Sequence, residues 1–181
     1  MQVEKVKLYI ITGGPGSGKS TLLKALGQHG FPCIPEAGRA IIQHQLSIGG
    51  TALPWADRSL FAELMLSWDI RSYNEALQLN TSVLFDRGIP DVMGYLRLCN
   101  LPVPPHVEKA AKTYRYHQCV FMAPPWQEIF TRDEERKQSF EEAQATYKSL
   151  AEVYLELGYE LLPLPLASVG ERVKFVLENV H

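Results

Sequence analysis

Residues 13–21 read Gly13-Gly14-Pro15-Gly16-Ser17-Gly18-Lys19-Ser20-Thr21, which satisfies the spacing G-x-x-x-x-G-K-[ST]. A run this rich in glycine suits neither a helix nor a strand. It lets the main chain wrap and turn successive N–H groups toward one point, as a bound phosphate requires. The segment ahead, KLYIIT at 7–12, is short, apolar and β-rich, the pattern of a strand buried on both faces. The segment behind, 19–28, carries Leu22, Leu23 and Leu26 as a helical stripe. Strand, glycine loop and helix in that order form the setting in which the motif holds phosphate, aided by the positive end of the helix dipole. Gly13, Gly14, Pro15, Gly16, Ser17, Gly18, Lys19, Ser20 and Thr21 are therefore expected to bind a nucleoside triphosphate. Lys19 would reach its β- and γ-phosphates, and the Ser20 hydroxyl would ligate Mg²⁺.

Outward from this loop, strand-like and helix-like segments alternate to the end of the chain. Further strands are expected at 31–35 (FPCIP), 82–86 (SVLFD), 118–122 (QCVFM) and 159–162 (YELL). Helices are expected at about 37–46, 55–79, 90–99, 106–114, from Ser139 to Gly158, and after Ser168. In the long helix 55–79, Leu60, Leu64 and Trp68 recur at helical spacing. Ser139 with Glu142, and Ser168 with Glu171, are capping-box pairs. This alternation predicts an α/β fold: a three-layer P-loop NTPase with a five-stranded parallel sheet flanked by helices. With 181 residues and no linker, one domain over 1–181 is expected.

Composition narrows the function. Eighteen basic and twenty acidic residues give a net charge of −2, so no overall field is available to hold nucleic acid. No apolar run approaches the ~20 residues of a membrane span. The N-terminus lacks a signal-peptide pattern, and Cys33, Cys99 and Cys119 form no Cys-x-x-Cys pair. A cytoplasmic protein with buried thiols is expected. Trp55, Trp68, Trp126 and the tyrosines read mainly as packing residues, with Trp68 and Arg71 as alternative lining for an acceptor pocket.

Asp86 ends the strand VLFD, where a P-loop protein keeps a carboxylate for Mg²⁺; the alternative is a turn-capping Asp. The next residue is Arg87, not the glutamate that activates water in many P-loop ATPases, and an arginine cannot act as a base. No Asn-Lys-x-Asp guanine motif follows the loop, so a GTPase is not indicated. Glu36 and Arg39 follow the second strand, at the sheet edge where open α/β folds bind ligands. Glu36 is a candidate base for an acceptor hydroxyl; the alternative is a helix-end charge. Between the fourth strand and the next helix lies TRDEERKQS, 131–139, whose Arg132 and Arg136 are candidates for a lid over the transferring phosphoryl group. Its alternative is a solvated charge run.

The P-loop, the Glu-x-x-Arg at 36–39 and the Asp86-Arg87 pair resemble P-loop kinases of the deoxynucleoside kinase and ribosylnicotinamide kinase group. The stretch VFMAPPWQEIFTRDEERKQSFEEA at 120–143 resembles a family of small AAA-type ATPases. The resemblance implies Glu36 as base, Arg87 as the arginine beside it, and Arg132 and Arg136 as lid residues. Gly88 departs from the serine that deoxynucleoside kinases carry there. The expected activity is Mg²⁺-dependent transfer of the γ-phosphate of ATP to a hydroxyl of a small acceptor, with a nucleoside-like molecule as one candidate. A regulatory or slowly hydrolysing NTPase is the second reading.

Overall fold

The computed structural model of the chain describes residues 6–130 and 139–180. Five strands, β1 (Leu8–Gly13), β2 (Cys33–Ile34), β3 (Val83–Asp86), β4 (Cys119–Ala123) and β5 (Glu160–Pro163), pair in parallel in the order β2-β3-β1-β4-β5. All six residues of β1 are buried. Side chains of a strand alternate between faces, so Leu8 and Ile10 enter one core while Tyr9 and Ile11 enter the other. A central strand covered on both sides has no polar face to show, which explains its unbroken apolar run.

Helices α1 (Lys19–Gln28) and α7 (Val169–Asn179) cover one face, packing Leu22, Leu23, Leu26, Val173 and Val176 on Tyr9, Ile11, Leu84 and Phe121. The other face carries α3 (Arg58–Ala76), α4 (Ile89–Leu98), α5 (Pro105–Thr113) and α6 (Phe140–Glu156). Helix α2 (Ala37–Ile48) packs Ile41 and Ile42 against Phe61 of α3 in a third, smaller cluster. Both expected capping boxes form: Ser139 Oγ accepts from the Glu142 N–H, and Ser168 Oγ from the Glu171 N–H.

Helix α3 departs from expectation. Its buried residues are Phe61, Ala62, Leu66, Ser72 and Ala76, whereas Leu60 is 43% exposed. The helix packs against both α2 and α4, so its apolar residues spread around more than one face: Leu64 and Trp68 pack half-buried beside α2, and the stripe from spacing alone misses the fully buried residues. It also starts later than expected, because the Asp57 carboxylate accepts from the Leu60 N–H at 2.9 Å and sets the first turn at Arg58. Trp55 therefore lies ahead of the helix, exposed rather than packed. The three cysteines are free and half-buried, not buried. Among the described residues, no helix is long and apolar enough to cross a membrane.

Candidate active site

The glycine loop leaves the carboxyl end of β1 in the middle of the sheet. Gly13 has φ +143 and pairs with Ala123 of β4; a side chain there would collide with the Ala123 carbonyl. Gly18, the residue before α1, has φ +80 and brings no side-chain oxygen to the first-turn N–H groups. Lys19 is buried, and its Nζ donates to the Gly14 carbonyl at 2.9 Å and to Ser17 Oγ at 3.4 Å. Ser17 Oγ itself donates to the same Gly14 carbonyl at 2.8 Å. The ammonium thus lies across the loop. Ser20 and Thr21 are exposed in the first turn of α1.

Asp86, at the end of β3, is buried beside β1 in register with Ile11. Its Oδ1 is buried and has no hydrogen-bond partner among the described residues. Burial raises its pKa to about 6; Lys19 opposes the shift, Glu36 adds to it, Arg87 opposes and Asp91 adds. Among the described residues, no group of three His, Cys, Asp or Glu side chains is placed to hold a metal. A single orphaned carboxylate oxygen nevertheless fits Mg²⁺, which keeps several waters and takes one or two carboxylates plus phosphate oxygens.

Arg87 follows on a left-handed backbone, φ +71. Its Nε lies 3.4 Å from Glu36 Oε1 and its Nη1 donates to Asp91 Oδ1 at 3.2 Å. Burial works against the guanidinium charge, but Glu36, Asp91 and Asp86 together hold it more firmly protonated than an ordinary arginine. Asp91 is itself anchored: it accepts from Thr12 Oγ1, from the Gly88 N–H at 3.0 Å and from the Tyr154 hydroxyl at 2.5 Å. A further carboxylate, Asp69 on α3, is pushed well above the usual range, first by burial and then by Asp91 and Glu36, against the pull of Arg87.

Glu36, Asp69, Arg87 and Asp91 line one cleft of about 400 Å³, whose lining includes neither Lys19 nor Asp86. Pro15 of the glycine loop stands on it, Glu36, Asp69 and Arg87 supply charge, and Phe61 and Tyr95 supply apolar surface. Neither Trp68 nor Arg71 lines it; Arg71 pairs with Glu75 at 2.8 Å on the exposed side of α3. Phe61, Met65 and Asp69, spaced by four, line it from α3 together with Arg58 at the start of the helix. Arg39 is exposed. Arg132 and Arg136 lie outside the described residues. Sequence reasoning missed Asp69 and Asp91. An aspartate within an otherwise apolar helical stretch, LSWDI at 66–70, was the available signal for the first. Asp91 reads locally as a helix-start residue, which it also is.

A family model described as an AAA domain matches residues 8–172. No curated protein matches the sequence. Among solved structures, a NadR protein in complex with NR is similar with a TM-score of 0.73 and 19% identity, over 99% of this chain and 52% of that one. This chain thus spans about half the length of that NadR chain. Thymidylate kinase from Candida albicans is similar with a TM-score of 0.64 and 14% identity, over 97% of this chain and 91% of that one. Deoxyadenosine kinase from M. mycoides with bound dATP is similar with a TM-score of 0.59 and 15% identity, over 96% of this chain and 98% of that one. At these identities the likeness is one of fold: a P-loop kinase fold.

Proposed function

The chain belongs to the AAA-domain family, and from that premise we propose that it transfers the γ-phosphoryl group of ATP to a hydroxyl of a small acceptor seated in the cleft. The observation that carries this reading is that Glu36 lines the same cleft as Pro15 of the phosphate loop, with the Arg87 guanidinium beside it. A candidate base for an acceptor thus stands on the cleft that Pro15 of the glycine loop borders. The nucleoside kinase likenesses support a nucleoside-like acceptor, with Phe61 and Tyr95 as the surface for a flat ring.

On this reading Lys19 leaves the Gly14 carbonyl for the β- and γ-phosphates, and the loop N–H groups cradle them. Asp86 and Ser20 would hold Mg²⁺, which supplies neutralising charge on the phosphates. Glu36 accepts the proton of the acceptor hydroxyl, and Arg87 keeps it ionised. Arg132 and Arg136 remain candidates to close over the transferred group. The chain, 1–181, acts as one domain.

A second reading, slow hydrolysis of the nucleotide without an acceptor, draws on the AAA description of the family. Against it stands Arg87 in the place of a water-activating glutamate. Glu36→Gln separates the two. With ATP and a panel of nucleosides, phosphorylation should fall by at least about a hundred-fold while ATP affinity and acceptor-free hydrolysis hold. Loss of acceptor-free hydrolysis in Glu36→Gln would make Glu36 an activator of water and turn the assignment to an NTPase.

A further inference from the structure

Arg172 lies in α7, on the side of β1 away from the cleft, and belongs to none of the groups above. It is 2% exposed. Its Nε donates to the Pro165 carbonyl at 2.8 Å, in the loop after β5. Its Nη1 donates to the Ser17 carbonyl at 2.8 Å, in the phosphate loop. Its guanidinium carbon sits 5.0 Å from the centre of the Trp126 ring, in the connection after β4. Its Nη2 is buried with no hydrogen-bond partner among the described residues. One side chain therefore ties three loops at the carboxyl edge of the sheet.

The contact with Ser17 has a geometric consequence. The Ser17 carbonyl and the Gly18 N–H belong to one planar peptide, and no peptide bond among the described residues is cis. In a trans peptide the two groups point to opposite sides. Holding the carbonyl on the α7 side turns the N–H to the other side, into the loop. If the peptide flipped, a carbonyl oxygen would face the phosphate in place of a donor. Gly18 can flip more easily than most residues because it has no side chain to resist it. It has φ +80, and a Cβ on it would lie 3.1 Å from Arg172 Nη1.

We propose that Arg172 is a positioning residue for phosphate binding, one that locks the Ser17–Gly18 peptide with its N–H directed at the phosphate. Packing alone does not account for an arginine here. A buried guanidinium with an idle nitrogen is costly. The stacking on Trp126 and the bond to Pro165 fix the guanidinium plane, so the donor to Ser17 is held rather than mobile. This inference rests on nucleotide binding by the glycine loop.

The test uses the full chain, with binding of ATP and of inorganic tripolyphosphate measured by calorimetry and stability by thermal melting. In Arg172→Met both ligands should bind about ten-fold more weakly, by a common factor, with the melting temperature lowered because the Ser17 and Pro165 carbonyls lose their donors. Arg172→Lys, which keeps a charged donor group, should recover part of the loss and serves as the folded variant if methionine is not tolerated. Affinities within about two-fold of wild type for both ligands would overturn the proposal. So would a loss confined to ATP, which would place Arg172 at the base of the nucleotide instead. If wild-type protein bound neither ligand, the nucleotide reading itself would fall.

Discussion

Arg87 stands between Glu36 and Asp91, with its Nε 3.4 Å from one carboxylate and its Nη1 3.2 Å from the other. One guanidinium thus serves two acidic groups from different elements, one at the start of α2 and one in α4. Asp91 is bonded to four partners, so it holds Arg87 in place, and Arg87 in turn pairs with Glu36 at the edge of the cleft.

Replacing Arg87 by methionine would leave Glu36, Asp69 and Asp91 facing one another without their shared cation. Unfolding in urea should show a loss of about 2–4 kcal/mol at pH 7, falling toward pH 4 as carboxylates take up protons. An equal loss at both pH values would mean that Arg87 stabilises by packing and not by charge.

Tyr154 is fully buried and donates to Asp91 Oδ2. Tyr154→Phe keeps the ring and removes one donor from a buried carboxylate. The expected cost is about 1–3 kcal/mol of stability. A calorimetric melting temperature within error of wild type would show that the remaining three donors suffice.

Asp69 is the pH-sensitive member of the cleft. Its folded pKa lies well above the usual carboxylate range, chiefly through burial. The native state therefore holds this proton more tightly than the unfolded chain does. The stability that the neutral form contributes is present in acid and is lost as pH rises from the ordinary value, 3.8, through the raised one. Asp69→Asn keeps the neutral shape at every pH. It should be more stable than wild type at pH 7, by on the order of 1 kcal/mol, and no more stable near pH 4. A variant less stable than wild type at pH 7 would contradict this.

Asp86→Asn tests the metal. In the presence of Mg²⁺, ATP affinity should drop by about ten-fold or more, whereas in EDTA the two proteins should bind ATP alike. An equal drop in both conditions would show that Asp86 acts on the loop and not through the ion.

Much of the fold was legible in the sequence because its signals are local. The run LYIIT has one solution as a strand covered on both faces. The glycine loop demands backbone angles that few other residues adopt, and Ser-x-x-Glu closes a cap within one turn. Where an element touches two neighbours, local signals fail. Helix α3 packs on α2 and α4 together, and so of the stripe Leu60, Leu64, Trp68 the last two pack half-buried beside α2 while Leu60 is exposed, and Arg71 pairs with Glu75 outside the cleft.

The sequence by itself determined the phosphate loop, the parallel sheet and the carboxylate at the end of β3. These depend on spacing along the chain, where backbone geometry leaves little choice. Only the tertiary structure decided which charges share a space. Glu36, Asp69, Arg87 and Asp91 come from α3, α4 and the ends of β2 and β3, and Arg172 reaches Ser17 across 155 positions of sequence. No periodicity records such pairings. They follow from the strand order, which sets β3 between β1 and β2 and brings α7 beside α1. A carboxylate in low dielectric answers to whatever stands within a few ångströms of it, and distance along the chain does not enter that energy.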